Sequence, residues 1–231
     1  MLKNDLIQRS PAVIIMGREN LHQGRFGAVL SRAGVGKTQF LVQIAISRLL
    51  EGENTLHISL TDPMDKINIR YKEAFASLVD SIGYVDPLKA NRLWEDIEPC
   101  KTGISYNELT FTAKKLRDYL KTLRKGDIKI PAMVIVDDLD FDTDLTDFMD
   151  DLKKISEDFE TSFWFSMRSH REEPLSAEGY PKQLERLKDR FDKALFLQPR
   201  DERIEAVVLK DGDRVKQRYA LDPSTLMPLP E

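Results

Sequence analysis

The sequence predicts a three-layer α/β domain, in which helices cover both faces of a mainly parallel central sheet that ends in an antiparallel C-terminal hairpin. Three observations lead to this fold class. A glycine-rich loop stands between an apolar run and a helical pattern, within residues 26–50. A second apolar run, at 131–139, ends in two aspartates. Along the rest of the chain, apolar runs alternate with helical patterns, which is typical of parallel βαβ units.

The glycine-rich loop, residues 31–38, reads S-R-A-G-V-G-K-T. It matches the phosphate-binding pattern G-x-x-x-x-G-K-[ST] except at Ser31, where the pattern has glycine. The apolar run at 26–30 predicts a buried strand before the loop, and the apolar residues of 39–50 recur at helical spacing after it. A strand, a glycine loop and a helix in this order are the context that the motif requires.

Each part of this loop suits a nucleotide phosphate. Gly34 and Gly36 allow backbone conformations that turn N–H groups toward an anion, and the positive end of the next helix points to the same place. Lys37 is expected to contact the β- and γ-phosphates, and the Thr38 hydroxyl to bind Mg²⁺. The alternative is a plain glycine turn with an exposed Lys37. The residues expected to contact nucleotide are Ser31, Arg32, Ala33, Gly34, Val35, Gly36, Lys37, Thr38 and Gln39.

The second apolar run reads P-A-M-V-I-V-D-D-L and has the continuous apolar character of a strand buried on both faces. Open α/β sheets bind ligands at the carboxyl ends of their strands. Asp137 is therefore expected to hold Mg²⁺ through water, and Asp138 to join the same cluster and orient a water molecule. The alternative for this pair is that an aspartate only caps the next helix.

Composition narrows the class of protein. The chain has 231 residues, 41% of them hydrophobic, a net charge of −4 and one cysteine, Cys100. This length suits one domain over 1–231, with an N-terminal arm at 1–23 and a poorly structured tail at 223–231. The charge gives no global attraction to nucleic acid or to an anionic membrane. The single cysteine, the absence of a signal-peptide pattern and the absence of an apolar run near ~18 residues predict a cytoplasmic protein without a membrane span.

The remaining patterns predict the other elements. The arm is expected to hold a short helix at 2–8 and an edge strand at 12–16. Asp211-Gly212-Asp213 is expected to be the turn of the terminal hairpin, and 168–181 a loop. Further strands are expected at 55–61, 92–97, 161–167, 193–198, 204–210 and 215–221. Further helices are expected at 67–82, 106–124 and 182–190, with another that ends near 159.

The order of these pieces resembles the RecA/DnaB/KaiC-like branch of the P-loop ATPases over residues 24–222. The resemblance implies that Ser166 is the polar sensor at the end of a strand. It also implies that Lys210, on the terminal hairpin, reaches a neighbouring subunit's nucleotide in a ring or filament. Thr61 stands where the family has its water-activating glutamate. Asp62 and Asp138 are then the carboxylates left to act as a general base, and weak hydrolysis is expected.

These residues predict an ATP-binding protein of this type, with slow Mg²⁺-dependent hydrolysis or a regulatory nucleotide switch. The expected ligands are ATP or ADP and Mg²⁺, and the expected partner is a second copy of the chain or another protein. Two alternatives stay open: a non-hydrolysing, nucleotide-gated protein-interaction module, and a P-loop kinase that acts on a small molecule. No N/T-K-x-D stretch of the GTPase type follows the second apolar run, which favours ATP.

Two groups of polar residues are given no role in this prediction. His57 and His22 lack partners at metal-ligand spacing and are expected to be ordinary strand and loop residues. Nucleic-acid binding is not expected, because the basic residues after the strand at 161–167 share their segment with acidic ones. These residues are Arg168, His170, Arg171, Glu172, Glu173 and Glu178.

Overall fold

The computed structural model of the protein describes residues 2–19, 25–171, 173–212 and 217–230. Eight strands in this part of the chain form one sheet. They are β1 Phe26–Ser31, β2 Thr55–Ser59, β3 Lys101–Ser105, β4 Met133–Asp137, β5 Ser162–Arg168, β6 Lys193–Arg200, β7 Arg203–Asp211 and β8 Arg218–Leu221. Their order is β3-β2-β4-β5-β1-β6-β7-β8. Strands β1 to β6 are parallel and β7 and β8 are antiparallel, which confirms the predicted fold class.

Helices cover both faces of the sheet. They are α1 Leu2–Arg9, α2 Pro11–Met16, α3 Lys37–Leu50, α4 Met64–Asp80, α5 Pro87–Ile97, α6 Ala113–Lys125, α7 Thr146–Phe159 and α8 Lys182–Glu185. The first five pack on the face that carries Val29 and Ile135, and the last three on the face that carries Val134 and Val136. Alternate residues of a strand thus enter opposite cores. None of the helices in the described ranges combines the length and apolar character needed to cross a membrane.

One close contact fixes the middle of the sheet. Gly27 of β1 lies beside Trp164 of β5 in the parallel pairing. A Cβ atom on Gly27 would lie 2.6 Å from two atoms of the indole ring. Glycine is therefore required here by the approach of a buried aromatic ring and not by an unusual φ angle.

Two of the short predicted strands are wrong, because both segments are helical. Residues 12–16 belong to α2, in which Pro11 takes an early helical position where its missing N–H costs nothing. Residues 92–97 belong to α5. This helix starts after Asp86, and the Asp86 side chain accepts a hydrogen bond from the Leu88 N–H at 3.0 Å. A short apolar run does not distinguish a strand from a buried helix. The edge strand β3, which is polar, was not predicted.

Two helices are shorter than the sequence predicts. The helix expected from 106 begins only at Ala113, where the Thr112 hydroxyl accepts from the Lys115 N–H at 3.2 Å. Leu109, expected on its buried stripe, is 93% exposed. The helix expected at 182–190 ends at Glu185, and a separate 3₁₀ turn covers Lys188–Arg190.

The C-terminal part differs from the prediction in its tail, and it holds an antiparallel turn before β7 that was not predicted. The first antiparallel turn lies between β6 and β7, where Asp201 has a φ of 52°. The turn predicted at 211–213 is described only in part, because Asp213 lies outside the described residues. The start of the strand predicted at 215–221 also lies outside them. The tail is not poorly structured: Leu226 is buried, and Asp222 accepts from the Thr225 N–H at 2.8 Å.

Candidate functional site

The glycine loop lies at the carboxyl end of β1, between the ends of β5 and β6. Ser31 is still part of β1, where it pairs with Arg168 on one side and Leu197 on the other. It is not among the non-glycine residues with positive φ in the described part of the chain, so the strand reaches the loop at Ser31 without backbone strain. Gly34 and Gly36 have φ angles of 78° and 117°, which are conformations that a side chain would strain.

Lys37 begins helix α3 directly after the loop, with Gly36 as its N-cap. Its side chain is not a freely exposed cation, since the residue is 8% exposed. Burial lowers the pKa of Lys37, the charges of Asp138 and Asp137 oppose this, and Arg168 adds to the lowering. The Nζ atom lies 3.4 Å from the Arg32 carbonyl oxygen. The Lys37 ammonium is thus held inside the loop, where the charges of both aspartates act on it.

Asp137 is fully buried at the end of β4. Neither of its carboxylate oxygens has a hydrogen-bond partner among the described residues. Burial alone would raise the pKa of this carboxyl, but His57, Ser166 and Thr38 face it and hold its pKa below the ordinary value. A buried carboxylate with unpartnered oxygens beside a threonine hydroxyl offers the hard oxygen ligands that Mg²⁺ prefers. The residues present therefore fit the predicted magnesium site.

Asp138 lies next along the chain, in a left-handed conformation with a φ of 65°. Its N–H donates to the Ser166 hydroxyl at 2.7 Å, and its carboxylate accepts from the Thr61 hydroxyl at 2.5 Å. All three residues line an open cleft of about 420 Å³, together with Arg168. The structure thus brings the predicted sensor Ser166, the candidate base Asp138 and Thr61 to one place.

The Asp62 carboxylate contacts helix α4 and not the residues of the cleft. Its carboxylate lies 2.8 Å from Lys66 Nζ and 3.6 Å from an Arg70 nitrogen, both on helix α4. Its N–H donates to the Ser59 hydroxyl at 3.0 Å. Two cations thus engage the Asp62 carboxylate, and Asp62 is not among the described residues that line the cleft of Asp138.

Lys210 lies far from the loop of its own chain. It is near the end of β7, where it pairs with Ala194 at the start of β6, whereas Ser31, where the loop begins, pairs with Leu197 farther along β6. Its Nζ donates to the Lys188 carbonyl at 2.8 Å. The predicted role between subunits does not require proximity within one chain, and it stays a prediction.

Three residues near the site were given no role by the sequence reasoning. His57 faces Asp137, Arg168 ends β5 beside Ser31, and Leu226 packs against Gly36. His57 had a detectable signal, since it is the one histidine inside an otherwise apolar strand pattern. Arg168 follows the predicted sensor closely in sequence. No pattern in the tail indicated Leu226.

Side chains alone do not form a metal cage here. In the described ranges, no group of three or more His, Cys, Asp or Glu side chains is arranged to hold a metal ion. This is typical of Mg²⁺, which is often bound by one or two protein ligands together with substrate phosphates. The arrangement thus suits a metal that enters with a nucleotide.

Comparison with known proteins supports the fold through solved structures of low sequence identity. No protein-family model matches the chain, and no curated protein matches it. One solved structure of an ATPase domain is similar, with a TM-score of 0.64 and 13% identity over 85% of this chain and 80% of that chain. A DnaB-like replicative helicase, described with its interactions with primase, has a TM-score of 0.59 and 14% identity over 86% of this chain. This chain spans 55% of the length of that helicase. The protein has the RecA-type P-loop fold, as the resemblance predicted.

Proposed function

We propose that this protein binds ATP with Mg²⁺ in the 31–38 loop and hydrolyses it slowly or uses it as a regulatory switch. One observation carries the proposal: Lys37 is buried at the start of α3, and Asp137, whose charge acts on it, is buried with carboxylate oxygens that have no hydrogen-bond partner in the described part of the chain. Such groups are costly to bury without a ligand. A phosphate for Lys37 and a metal for Asp137 would satisfy both.

The roles of the other loop residues follow from their positions. The N–H groups at the start of α3 and in the glycine loop would donate to the phosphates. Thr38 and Asp137 would hold Mg²⁺, which neutralises negative charge on the phosphate oxygens when it is bound. The Ser166 hydroxyl supports Asp138 by accepting from the Asp138 backbone N–H.

Slow turnover is proposed because position 61, where the resemblance places a water-activating glutamate, is occupied by threonine. Thr61 replaces the family's glutamate and donates to Asp138, while Asp62 is engaged by Lys66 and Arg70. Asp138 is the better remaining base, since it lines the cleft and needs only to exchange one hydrogen bond.

The Thr61–Asp138 hydrogen bond also favours the second candidate function, a nucleotide-gated protein-interaction module. In that case ATP would set a conformation that a partner protein reads, without turnover. The P-loop kinase alternative would require transfer of phosphate to an added acceptor. We propose the cytoplasm as the compartment, from the single cysteine.

Calorimetric titration with ATP, in Mg²⁺ or in EDTA, tests the proposal, with phosphate release followed in the same samples. The wild type should bind ATP more tightly with Mg²⁺. Lys37→Ala should lose binding, and Asp137→Asn should lose the gain from Mg²⁺. Lys66→Ala, which removes a cation outside the loop, is the matched control and should bind normally. Absence of ATP binding by a folded wild-type protein would contradict the proposal.

Self-association and nucleic-acid binding are tested in separate experiments. Light scattering with Mg²⁺–ATP, with Mg²⁺–ADP and without nucleotide tests self-association, and Lys210→Ala tests the predicted contact between subunits. ATP-dependent assembly that this variant loses would support a ring or filament. Because one structural relative is a DnaB-like replicative helicase, single-stranded DNA is included as a further sample. Turnover that rises with it would contradict the expectation of no nucleic acid.

A further inference from the structure

His57 connects helix α4 to the predicted magnesium ligand. It is fully buried in β2, and its Nδ1 atom lies 3.1 Å from the hydroxyl of Tyr71, which is also fully buried. On the opposite side of the ring, Nε2 lies 3.8 Å from Asp137 Oδ2. The imidazole thus stands between a phenol and a carboxylate, with one nitrogen facing each.

The hydrogen-bonding capacities of these groups favour one direction for the protons. Burial, followed by the charge of Asp137, raises the pKa of Tyr71, so the phenol keeps its proton and can donate it to Nδ1. A neutral imidazole that accepts at Nδ1 carries its own proton on Nε2. That proton then faces Asp137, which only accepts. The opposite tautomer would point a ring lone pair at the carboxylate.

The two facing groups are unpartnered. In the part of the chain that the structure describes, His57 Nε2 and both Asp137 oxygens lack hydrogen-bond partners. Their separation exceeds the ~2.7–3.2 Å of an N–H···O bond, so a small shift of the ring or of the carboxylate would close it. A buried donor and a buried acceptor that face each other without other partners are matched in chemistry and position.

We propose that His57 is a positioning residue for Asp137, and that its Nε2–H, directed by Tyr71, sets the orientation in which the carboxylate meets Mg²⁺. The inference rests on the proposed function. Thr38 and Ser166 also face this carboxylate, so a group behind it decides which oxygen turns toward the loop. Partners behind a metal ligand orient it in this way and are worth about 10–100-fold in metal affinity.

Two substitutions at position 57 separate positioning from packing. The amide nitrogen of asparagine lies as many bonds from Cβ as Nδ1 does, and that of glutamine as many as Nε2. His57→Gln therefore keeps a donor toward Asp137, and His57→Asn keeps only the group toward Tyr71. Tyr71→Phe is the third variant: it removes the group that directs the ring without touching Asp137.

The readout is the ratio of ATP affinities in Mg²⁺ and in EDTA, with thermal unfolding of each variant as the check on folding. His57→Asn should lower the ratio about 10-fold and leave the affinity in EDTA unchanged. His57→Gln should keep the ratio within about 2-fold, and Tyr71→Phe should lower it by an intermediate factor. If His57→Asn does not fold, Tyr71→Phe decides, since loss of packing alone would not act through the metal.

The outcomes distinguish the inference from the function beneath it. In one outcome, Mg²⁺ raises the ATP affinity of the wild type, of His57→Asn and of Tyr71→Phe by the same factor. That result overturns the positioning role and leaves the proposed function intact. A wild type that gains nothing from Mg²⁺ overturns the proposed magnesium site and the positioning role with it. A ratio that falls equally in His57→Gln and His57→Asn also overturns the role, because the position of the donor would then not matter.

Discussion

Leu226 packs so closely against Gly36 that a Cβ atom on this glycine would lie 2.8 Å from Leu226 Cδ1. Leu226 is 1% exposed, although it lies near the end of the chain. Gln43, in the second turn of helix α3, donates to the Thr225 carbonyl at 2.7 Å and connects the same segment to the helix. Thr225 and Leu226 thus form the back of the glycine loop.

Gly36→Ala should therefore destabilise the protein by two effects. The first is the strain of a side chain at a φ of 117°, of order 1–2 kcal/mol. The second is the clash with Leu226, worth about 1–3 kcal/mol. Gly34→Ala is the matched control, because Gly34 has a φ of 78° and nothing lies within 4 Å of its added Cβ. Urea unfolding should rank wild type above Gly34→Ala and Gly34→Ala above Gly36→Ala.

The double variant Gly36→Ala with Leu226→Ala isolates the contact. Leu226→Ala alone should cost about 2–5 kcal/mol, since it removes a buried side chain. The double variant should be more stable than the sum of the two single effects predicts, by about 1–3 kcal/mol. Strict additivity would show that the two residues do not interact.

Asp222 makes the anchoring of the tail dependent on pH. Hydrogen bonds from the Ser224 side chain, then from the Thr225 backbone and side chain, lower the pKa of Asp222 to about 2. An unfolded aspartate titrates near pH ~3.9. Because the folded pKa is the lower one, the stabilisation is complete above the unfolded pKa and is lost as pH falls from about 4 toward 2.

The stability difference between wild type and Asp222→Ala should follow this titration. In thermal unfolding it should be largest above pH ~5 and smallest near pH ~2. Asp222→Asn cannot ionise, so its own stability should not change across the same range through this group. A difference between wild type and Asp222→Ala that is equal at the two ends of this range would contradict the assignment.

The sequence predicted the parts whose signals are local. The strand before the glycine loop, the loop itself and the strand that ends in Asp137 were all found, because each has a continuous apolar run next to residues with special chemistry. It failed at 12–16, where a short apolar run is equally compatible with a helix, and at 92–97, where three apolar residues among three charged ones do not identify a strand. The tail was missed for another reason: the burial of Leu226 depends on contacts between residues far apart in sequence, which periodicity does not encode.

The same distinction applies to the site. Lys37, Thr38 and Asp137 were proposed from motifs. The engagement of Asp62 by Lys66 and Arg70 was missed, although a carboxylate and a lysine four residues apart on a helix start often pair. The approach of His57 to Asp137 depends on the order of β2 and β4 in the sheet, and a single sequence does not give that order.

Gly27→Ala should be among the most destabilising small substitutions in the sheet. Its Cβ would overlap the rigid ring system of Trp164, which is buried and cannot turn away as a flexible side chain would. We expect a loss of about 1–3 kcal/mol or more in the free energy of unfolding. Gly126→Ala is the control, since its nearest contacts are at 3.5 Å. Equal stability of the two variants in urea would disprove the close approach.

Arg168→Ala should weaken ATP binding more than ADP binding. Arg168 ends β5 beside Ser31, it lines the cleft with Asp138, and its charge acts on Lys37. ATP carries more negative charge than ADP, so the loss of this cation should cost ATP about 10-fold in affinity, or roughly 1.4 kcal/mol, and ADP less. Arg171→Ala, in the segment that follows β5 but outside the cleft lining, is the control. Equal losses for both nucleotides would place Arg168 away from the terminal phosphate.

Thr61→Glu should raise the rate of ATP hydrolysis, because it restores a carboxylate where the resemblance expects the base. A positioned general base contributes about 10²–10⁴-fold. The new side chain must replace the Thr61 hydrogen bond to Asp138, and two neighbouring carboxylates repel. We therefore expect a gain of at least about 10-fold rather than the full factor.

Thr61→Gln is the matched control, since glutamine has the shape of glutamate but cannot accept a proton at neutral pH. It should bind ATP as Thr61→Glu does and hydrolyse it no faster than the wild type. Phosphate release at saturating ATP measures all three proteins. If Thr61→Glu binds ATP and is no faster than Thr61→Gln, the missing glutamate is not what limits turnover, and the nucleotide-gated interaction module becomes the better description of this protein.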